Sequence, residues 1–312
     1  MSINVGLLVP VPALIRVAVV YGTVTGLITL GFRLTHEATG YMNLGFTVNL
    51  GVSVGAGFLV SQLLGVDPMV TLPVVSILTG AFNALTYHLI YRRLEAKGTS
   101  EALISLTGLT FLFTSVSVLT VAEYFLSRRV DSPLWCGPIA SEFTVGAHFH
   151  YVDGSVAGLR WSLIASSLVV ILLTVGVYVI MKRSRAACIL SAVGENPSLA
   201  QISGIDTGRV RLVSWFLAGG LAGLGGVLLP YMFKGEMGRD CELLFAPVLA
   251  SAVLAEGLSL WVALPLGVFI GALEILLINL SMAVLGVWVG EYSSLFPVAF
   301  LVAALVYKSK AR

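Results

Sequence analysis

Residues 260–282 read LWVALPLGVFIGALEILLINLSM, and Glu274 is the only charged residue among them. A helix needs roughly 20 predominantly apolar residues to cross the hydrocarbon core of a bilayer. A helix that is apolar on every side must be buried, either in a large protein core or in lipid. The stretch therefore predicts a transmembrane helix.

The composition of the whole chain supports a membrane protein. Of 312 residues, 57% are hydrophobic and only 11% are charged, and the mean hydropathy is +0.97. Soluble globular domains carry about 25% charged residues. The net charge of +2 is too small to suggest a nucleic-acid partner. These values exclude an ordinary soluble enzyme and predict an integral membrane protein.

Further apolar stretches of suitable length recur along the chain. The candidate spans are 11–32, 43–65, 69–91, 102–126, 161–181, 211–233, 243–257, 260–282 and 292–307. The seventh is short and Glu291 bounds the ninth, so either could enter the membrane without crossing it, and the number of spans ranges from eight to ten. We predict an all-α, polytopic transmembrane helix bundle of about nine spans, forming a single domain over residues 1–312.

The basic residues predict the orientation, because loops rich in Lys and Arg face the cytoplasm. If all nine segments span, 12 basic residues fall on one side, 5 fall on the other, and Arg16 lies near the first span. The richer side holds Arg33, Arg92, Arg93, Lys97, Lys182, Arg183, Arg185, Arg209, Arg211, Lys308, Lys310 and Arg312. The N-terminus is therefore predicted outside, with the C-terminus and the 182–210 loop in the cytoplasm.

The outer loop, residues 127–160, contains an alternating run. Apolar residues occupy every second position from Phe143 to Tyr151, and Asp153-Gly154 follows. This pattern predicts a small extracytoplasmic β-hairpin. His148 and His150 share one face of it, but too few ligands lie nearby for a metal site, and none is predicted. Cys136 and Cys241 are both assigned outside, and whether they pair stays open.

Glycine pairs four residues apart lie within several predicted spans. Small residues at this spacing form a flat helix face on which another backbone packs closely. We expect a helix-packing role for Gly22, Gly26, Gly51, Gly55, Gly219, Gly223, Gly267 and Gly271.

Polar residues within spans have two interpretations. A carboxylate at bilayer depth is costly unless it faces protein or water. Glu274, with Asn43, Asn49 and Asn83, is a candidate for lining a translocation path. The alternative is hydrogen bonding between helices, for which asparagine is well suited.

The inner stretch 191–206 reads SAVGENPSLAQISGID. Asn196 as cap and Pro197 in the first turn predict the start of a short helix, which Gly204 ends. Leu199 and Ile202 give this helix an apolar face. No Lys or Arg lies between Pro197 and Asp206, whereas helices lying on lipid usually carry them. Docking into a groove of a partner protein is therefore favoured.

Together, Gly194-Glu195-Asn196-Pro197 and the glycine-rich run 218–226 closely resemble the permease subunits of ABC importers for branched-chain amino acids. The resemblance covers most of the chain and includes Ile90 to Leu94 and Gly267 to Glu274. Two stretches depart from the family pattern. Where the family often has Asn-Phe-Ala-His-Gly, residues 43–46 read Asn-Leu-Gly-Phe, and residues 255–258 read Ala-Glu-Gly-Leu in place of Gly-Gly-Leu-Gly.

The resemblance implies a permease of a prokaryotic cell membrane with no catalytic residues, metal or cofactor of its own. Its implied partners are two cytoplasmic ATPase subunits, a second permease, an extracytoplasmic substrate-binding protein and membrane lipid. The implied coupling element to the ATPase comprises Gly194, Glu195, Asn196, Pro197, Leu199, Ala200, Ile202, Gly204 and Ile205.

The implied substrate is a branched-chain or related amino acid. Urea, short amides, sugars and nucleosides remain as substrates within the superfamily. The alternative mechanism is a secondary transporter driven by an ion gradient, with Glu274 as the proton site.

Overall fold

A computed structural model describes residues 11–64, 68–129, 155–156, 159–160, 172, 175–176, 178–179, 182–183, 185–229, 241–256, 258–286, 288 and 295–311. The first half contains α1 (Val11–Thr39), α2 (Val48–Leu64), α3 (Pro68–Thr86), a π-helical turn (Tyr87–Tyr91), α4 (Arg92–Ala96) and α5 (Glu101–Arg129). The second half contains α6 (Ala186–Glu195), α7 (Pro197–Ile202), α8 (Thr207–Leu228), α9 (Phe245–Ala255), a 3-10 turn (Leu260–Val262), α10 (Ala263–Leu285) and α11 (Leu295–Ala311).

The described part of the chain is helical apart from one short strand pair. Strand β1 (Ser155–Val156) pairs antiparallel with β2 (Leu159–Arg160). The alternating run that predicts the outer hairpin, 143–151, lies outside the described residues. That hairpin therefore stays a prediction.

Among the described residues, five helical segments are long and apolar enough to cross a membrane: Val17–Thr39, Val70–Ala96, Glu101–Val121, Thr207–Leu228 and Leu260–Leu285. Two shorter apolar helices, Val48–Gly57 and Cys241–Ala255, fall on the second and seventh predicted spans. Most of the fifth predicted span, 161–181, is outside the described residues. The described residues thus form a predominantly helical architecture with candidate membrane spans, and the total of about nine spans stays a prediction.

Helix α1 is the central element of the bundle. In its apolar stretch 89% of the residues are buried, against 17% for α5, which therefore lies at the periphery. Val24, Leu27 and Leu30 are fully inaccessible. Helix α1 packs mainly against α10 and α8, and also against α6 and α9. The second large contact joins α3 to α8.

Loops that the charge distribution assigns to one side meet at one end of the bundle. Arg33, at the end of α1, donates to the carbonyl oxygen of Leu258 at 3.4 Å. Arg211, at the start of α8, donates through Nε to the carbonyl oxygen of Ala38 at 3.1 Å. We call this end of the bundle the basic end. That it faces the cytoplasm stays a prediction.

Candidate functional site

Helix α7 begins and ends at the residues that the sequence pattern indicates. The side chain of Asn196 accepts a hydrogen bond from the Leu199 amide at 2.9 Å, and Pro197 occupies the first helical position. At the other end Gly204 has a φ of +85°, and the Ile205 amide donates to the Ala200 carbonyl at 3.0 Å. This left-handed ending satisfies the last carbonyls and turns the chain toward α8.

The apolar face of α7 is exposed. Leu199 is 60% exposed and Ile202 is 84% exposed, whereas Ala200 is only 4% exposed. Ala200 therefore packs inside its own chain, and its place in the predicted coupling set stays a prediction. A bulky residue at position 200 would disturb the seating of α7, so Ile202 is the better position for testing a partner contact.

Gly194 joins the segment before α7 to the end of α1. A Cβ atom at this position would overlap the carbonyl oxygen of Glu37, so only glycine permits the contact. Glu37 forms an ion pair with Arg33 one turn earlier on α1. Gly194 thus packs against α1, its coupling role stays a prediction, and the neighbouring Glu195 is exposed.

Helix α7 is also attached to α8. The side-chain amide of Gln201 donates to the Thr207 hydroxyl at 2.8 Å. Asp206 caps α8 by accepting from the Arg209 amide at 3.0 Å. A displacement of α7 would therefore be transmitted directly to the first turn of α8.

A carboxylate at the basic end gathers three donors. Glu95 accepts from the Tyr41 hydroxyl at 2.9 Å, from the Tyr87 hydroxyl at 3.1 Å and from Arg211 Nη1 at 3.0 Å. We call these four residues the Glu95 cluster. Burial and the adjacent Glu95 carboxylate raise the pKa of Tyr41, so its hydroxyl stays protonated and donates. The cluster joins α4, the turn after α1 and the start of α8.

Sequence reasoning missed the Glu95 cluster. Arg211 counts there only as one of the basic residues of the inner loops, and Glu95 has no distinguishing pattern. The one local signal that could have pointed to the Glu95 cluster is the neighbouring stretch Ile90 to Leu94, which belongs to the family resemblance. It overlaps the π-helical turn, and such turns are frequent at functional sites.

Three of the four residues predicted to line a path come together. Asn43, Asn49 and Asn83 line a cavity between α1, α2, α3 and α8 that has room for about one water molecule. Asn49 donates to Asn83 Oδ1 at 3.1 Å, and Asn83 donates to the Trp215 carbonyl at 2.6 Å. The Tyr91 hydroxyl donates to Asn43 Oδ1 at 3.1 Å. The amides bond to the protein, and in this conformation the cavity is too small for an amino acid.

Aromatic rings in contact with one another join this cavity to the Glu95 cluster. The ring centroids of Tyr91 and Trp215 are 4.5 Å apart, those of Tyr87 and Trp215 are 5.2 Å apart, and those of Tyr41 and Tyr91 are 5.9 Å apart. All four rings are buried. Tyr41 and Tyr87 bond to Glu95, and Tyr91 bonds to Asn43, so these rings link the two groups.

Glu274 lies inside the bundle but away from the asparagines. It is 4% exposed, and the Tyr21 hydroxyl of α1 donates to its Oε1 at 3.4 Å. Its Oε2 has no hydrogen-bond partner among the described residues. Glu274 is not among the residues that line the asparagine cavity. The structure therefore divides the predicted path residues into two separate places.

Glycines bring α1 and α10 into backbone contact. A Cβ atom at Gly267 would lie 2.7 Å from the Gly26 Cα, and one at Gly271 would lie 2.9 Å from the Gly22 Cα. The two glycine pairs face each other, so the helices approach more closely than any larger residue allows. Glu274 lies one turn beyond Gly271 on α10, and this close approach brings it within hydrogen-bond distance of Tyr21 on α1.

The remaining glycine pairs lie on α8 and α2. A Cβ atom at Gly219 or Gly223 would lie 2.6 or 2.7 Å from a backbone atom of α3. Gly51 and Gly55 are buried on α2. The α3–α8 contact beside the asparagine cavity is thus a close backbone packing too.

The described residues contain no group of three or more His, Cys, Asp or Glu side chains that could hold a metal ion. His148, His150 and Cys136 lie outside these residues, so the question of a Cys136–Cys241 disulfide stays open. Cys188 is exposed on α6, and Cys241 is buried.

Comparison with known proteins gives two matches. The family described as branched-chain amino acid transport system, permease component, matches residues 14–305. The chain is similar to a protein of Methanocaldococcus jannaschii named as a probable branched-chain amino acid transport permease protein, LivH. The identity is 28% over 289 residues, which cover 93% of this chain and 88% of that protein. No solved structure matches the chain.

Proposed function

The chain belongs to the branched-chain amino acid transport permease family, and from this we propose that it is the membrane-spanning subunit of an ATP-driven importer. Its substrate is a small polar solute of the branched-chain amino acid class, delivered by an extracytoplasmic binding protein. A second permease completes the pathway, and separate cytoplasmic subunits hydrolyse ATP. The protein lies in a prokaryotic cell membrane with its basic end and C-terminus in the cytoplasm.

The observation that carries this proposal is the exposed face of α7. Leu199 and Ile202 expose 60% and 84% of their surface on a helix that lies outside the candidate spans. No basic residue lies on α7 to hold it against lipid headgroups. A hydrophobic pocket on an ATPase subunit is the partner that suits such a face.

Contacts within the chain provide a route from α7 toward the interior. Gln201 bonds to Thr207 on α8, and Arg211 on the next turn of α8 bonds to Glu95. Trp215, one turn further, accepts from Asn83 on α3. ATPase closure against α7 would shift α8 relative to α3 and thereby change the asparagine cavity. The work of the permease is this shift between two conformations.

The proposal is tested by Ile202→Asp, measured by co-purification of the ATPase subunits. Burying an isoleucine side chain stabilises a contact by about 1.5–3 kcal/mol, so its loss weakens docking roughly tenfold to hundredfold. Leu258→Asp is the matched control, because Leu258 is 51% exposed at the same end but outside α7. Full co-purification and full ATP-driven uptake with Ile202→Asp would contradict the coupling role of α7.

A second mechanism is favoured by one observation only, the Glu274 oxygen that lacks a partner among the described residues. A secondary transporter would carry a proton there. Uptake into vesicles separates the two mechanisms. Uptake that needs the ATPase subunits and ATP supports the importer, and uptake driven by a proton gradient without ATP supports the alternative.

A further inference from the structure

Two aromatic rings at the basic end hold a lysine. The Lys182 ammonium lies 5.2 Å from the centroid of the Trp261 ring and 5.8 Å from that of the Tyr178 ring. The two rings meet edge to face, with centroids 5.8 Å apart. Cations within about 6 Å of an aromatic face are attracted by its electrons. We call Lys182, Tyr178 and Trp261 the aromatic clamp.

The position of the clamp along the bundle matches a membrane surface. Trp261 is the second residue of the candidate span Leu260–Leu285. Trp and Tyr rings concentrate where lipid headgroups meet the hydrocarbon core, and lysine extends its ammonium to the same level. The clamp therefore holds the Lys182 ammonium at the depth of the headgroups.

Two further cations follow the clamp. Arg183 and Arg185 are both exposed, as is Lys182. Within the described part of the chain none of the three forms an ion pair with an acidic side chain. Each Lys or Arg near an anionic leaflet strengthens the attraction about fivefold. Three such charges fall within four positions, where an arginine fork can bind a phosphate with two hydrogen bonds.

We propose that the aromatic clamp, Arg183 and Arg185 bind the phosphate of an anionic phospholipid headgroup. Lipid suits the site better than an ATPase surface, because the rings require a boundary between apolar and polar surroundings. Helix α6 begins at Ala186, directly after the last arginine. The bound lipid would therefore fix the start of the segment that leads to α7. This inference rests on the membrane placement of α10 and not on the proposed transport reaction.

The test is native mass spectrometry of the full-length chain titrated with phosphatidylglycerol or phosphatidylcholine. The wild type should retain phosphatidylglycerol in preference to phosphatidylcholine. The combined variant Lys182→Gln, Arg183→Gln, Arg185→Gln should bind phosphatidylglycerol about a hundredfold more weakly, since three fivefold factors are lost. Trp261→Leu keeps the charges and removes one ring, and it should weaken binding several-fold.

The matched control is Arg92→Gln, Arg93→Gln, Lys97→Gln. These three cations are also exposed and predicted on the same side, but among the described residues none of them lies over an aromatic ring. The control should keep the phosphatidylglycerol preference. Equal losses in both combined variants, or no loss in either, would overturn the site.

Two further results would assign the site to a different ligand. Millimolar inorganic phosphate that displaces the lipid would make it a site for free phosphate. If the combined variant Lys182→Gln, Arg183→Gln, Arg185→Gln lost ATPase co-purification but retained lipid like the wild type, the site would be a protein-docking surface. Either result would overturn the lipid assignment.

Discussion

Replacing Gly22 with alanine tests the contact between the two helices at the centre of the bundle. A Cβ atom at this position would lie 2.5 Å from the carbonyl oxygen of Val268 on α10. Ordinary contacts begin at 3.4 Å, so the two backbones must move apart by about 0.9 Å. A gap of that size removes a quarter to a half of the dispersion attraction along the contact.

The expected cost is about 1–3 kcal/mol, the range for adding a carbon to a packed interior. Alanine also favours helix over glycine by up to about 1 kcal/mol, which partly offsets the loss. Gly220→Ala on α8 isolates that gain, because its Cβ would meet its nearest neighbour, the carbonyl oxygen of Ser76, at an ordinary 3.5 Å. We therefore expect Gly22→Ala to be less stable than the wild type and Gly220→Ala to equal or exceed it.

The assay is thermal unfolding of the purified chain in detergent, followed as the loss of the folded peak in size-exclusion chromatography. A second variant, Gly22→Ser, should fall in the same direction, since it adds the same Cβ and one further oxygen. If Gly22→Ala unfolded at the temperature of Gly220→Ala, the close approach of α1 and α10 would be refuted.

Three further predictions concern single side chains. Glu95→Gln should destabilise the chain by about 1–3 kcal/mol in thermal unfolding, because Arg211 loses a charged acceptor; an unchanged midpoint would contradict the Glu95 cluster. Glu274→Gln should keep the folded peak but reduce uptake, whereas Glu274→Leu should also reduce the folded yield, because leucine cannot accept the hydrogen bond from Tyr21; equal yields of the two would argue against that bond. Cys188 should react with a membrane-impermeant thiol reagent only after cells are opened, and labelling of intact cells would reverse the predicted orientation.

Local signals in the sequence were sufficient for α7. The Asn196 cap and the Gly204 ending depend only on residues within a turn of them, so the sequence contains all that is needed to place the helix ends. The capping residues do not show which side of α7 packs against its neighbours along the chain, α6 and α8. The burial of Ala200 was therefore not predictable.

Contacts between residues far apart in sequence were also not predictable. Glu95 and Arg211 are 116 positions apart, and nothing in their neighbourhoods marks one as the partner of the other. The asparagines were recognised because an amide within a span needs a partner wherever it lies. Glu274 was recognised for the same reason. The cost of burying a charge does not show which helices surround it, and the structure places Glu274 in the contact between α1 and α10, away from the asparagines.

The central place of α1 has a consequence for biosynthesis. Gly267, which meets α1 at Gly26, is made 241 residues after Gly26. At translation rates of about 5–20 residues per second, α1 waits in the membrane for roughly 10–50 seconds before α10 exists.

During this interval several polar side chains of α1 have partners within α1 itself. Thr23, Thr25 and Thr29 donate their hydroxyls to carbonyls four positions earlier, and Arg33 pairs with Glu37 on the next turn. Such a helix exposes few unpaired donors to lipid before its partners arrive. A nascent chain stopped before α10 should therefore remain inserted through α1. Gly22 and Gly26 would then face lipid, because Gly271 and Gly267 of α10 have not yet been synthesised.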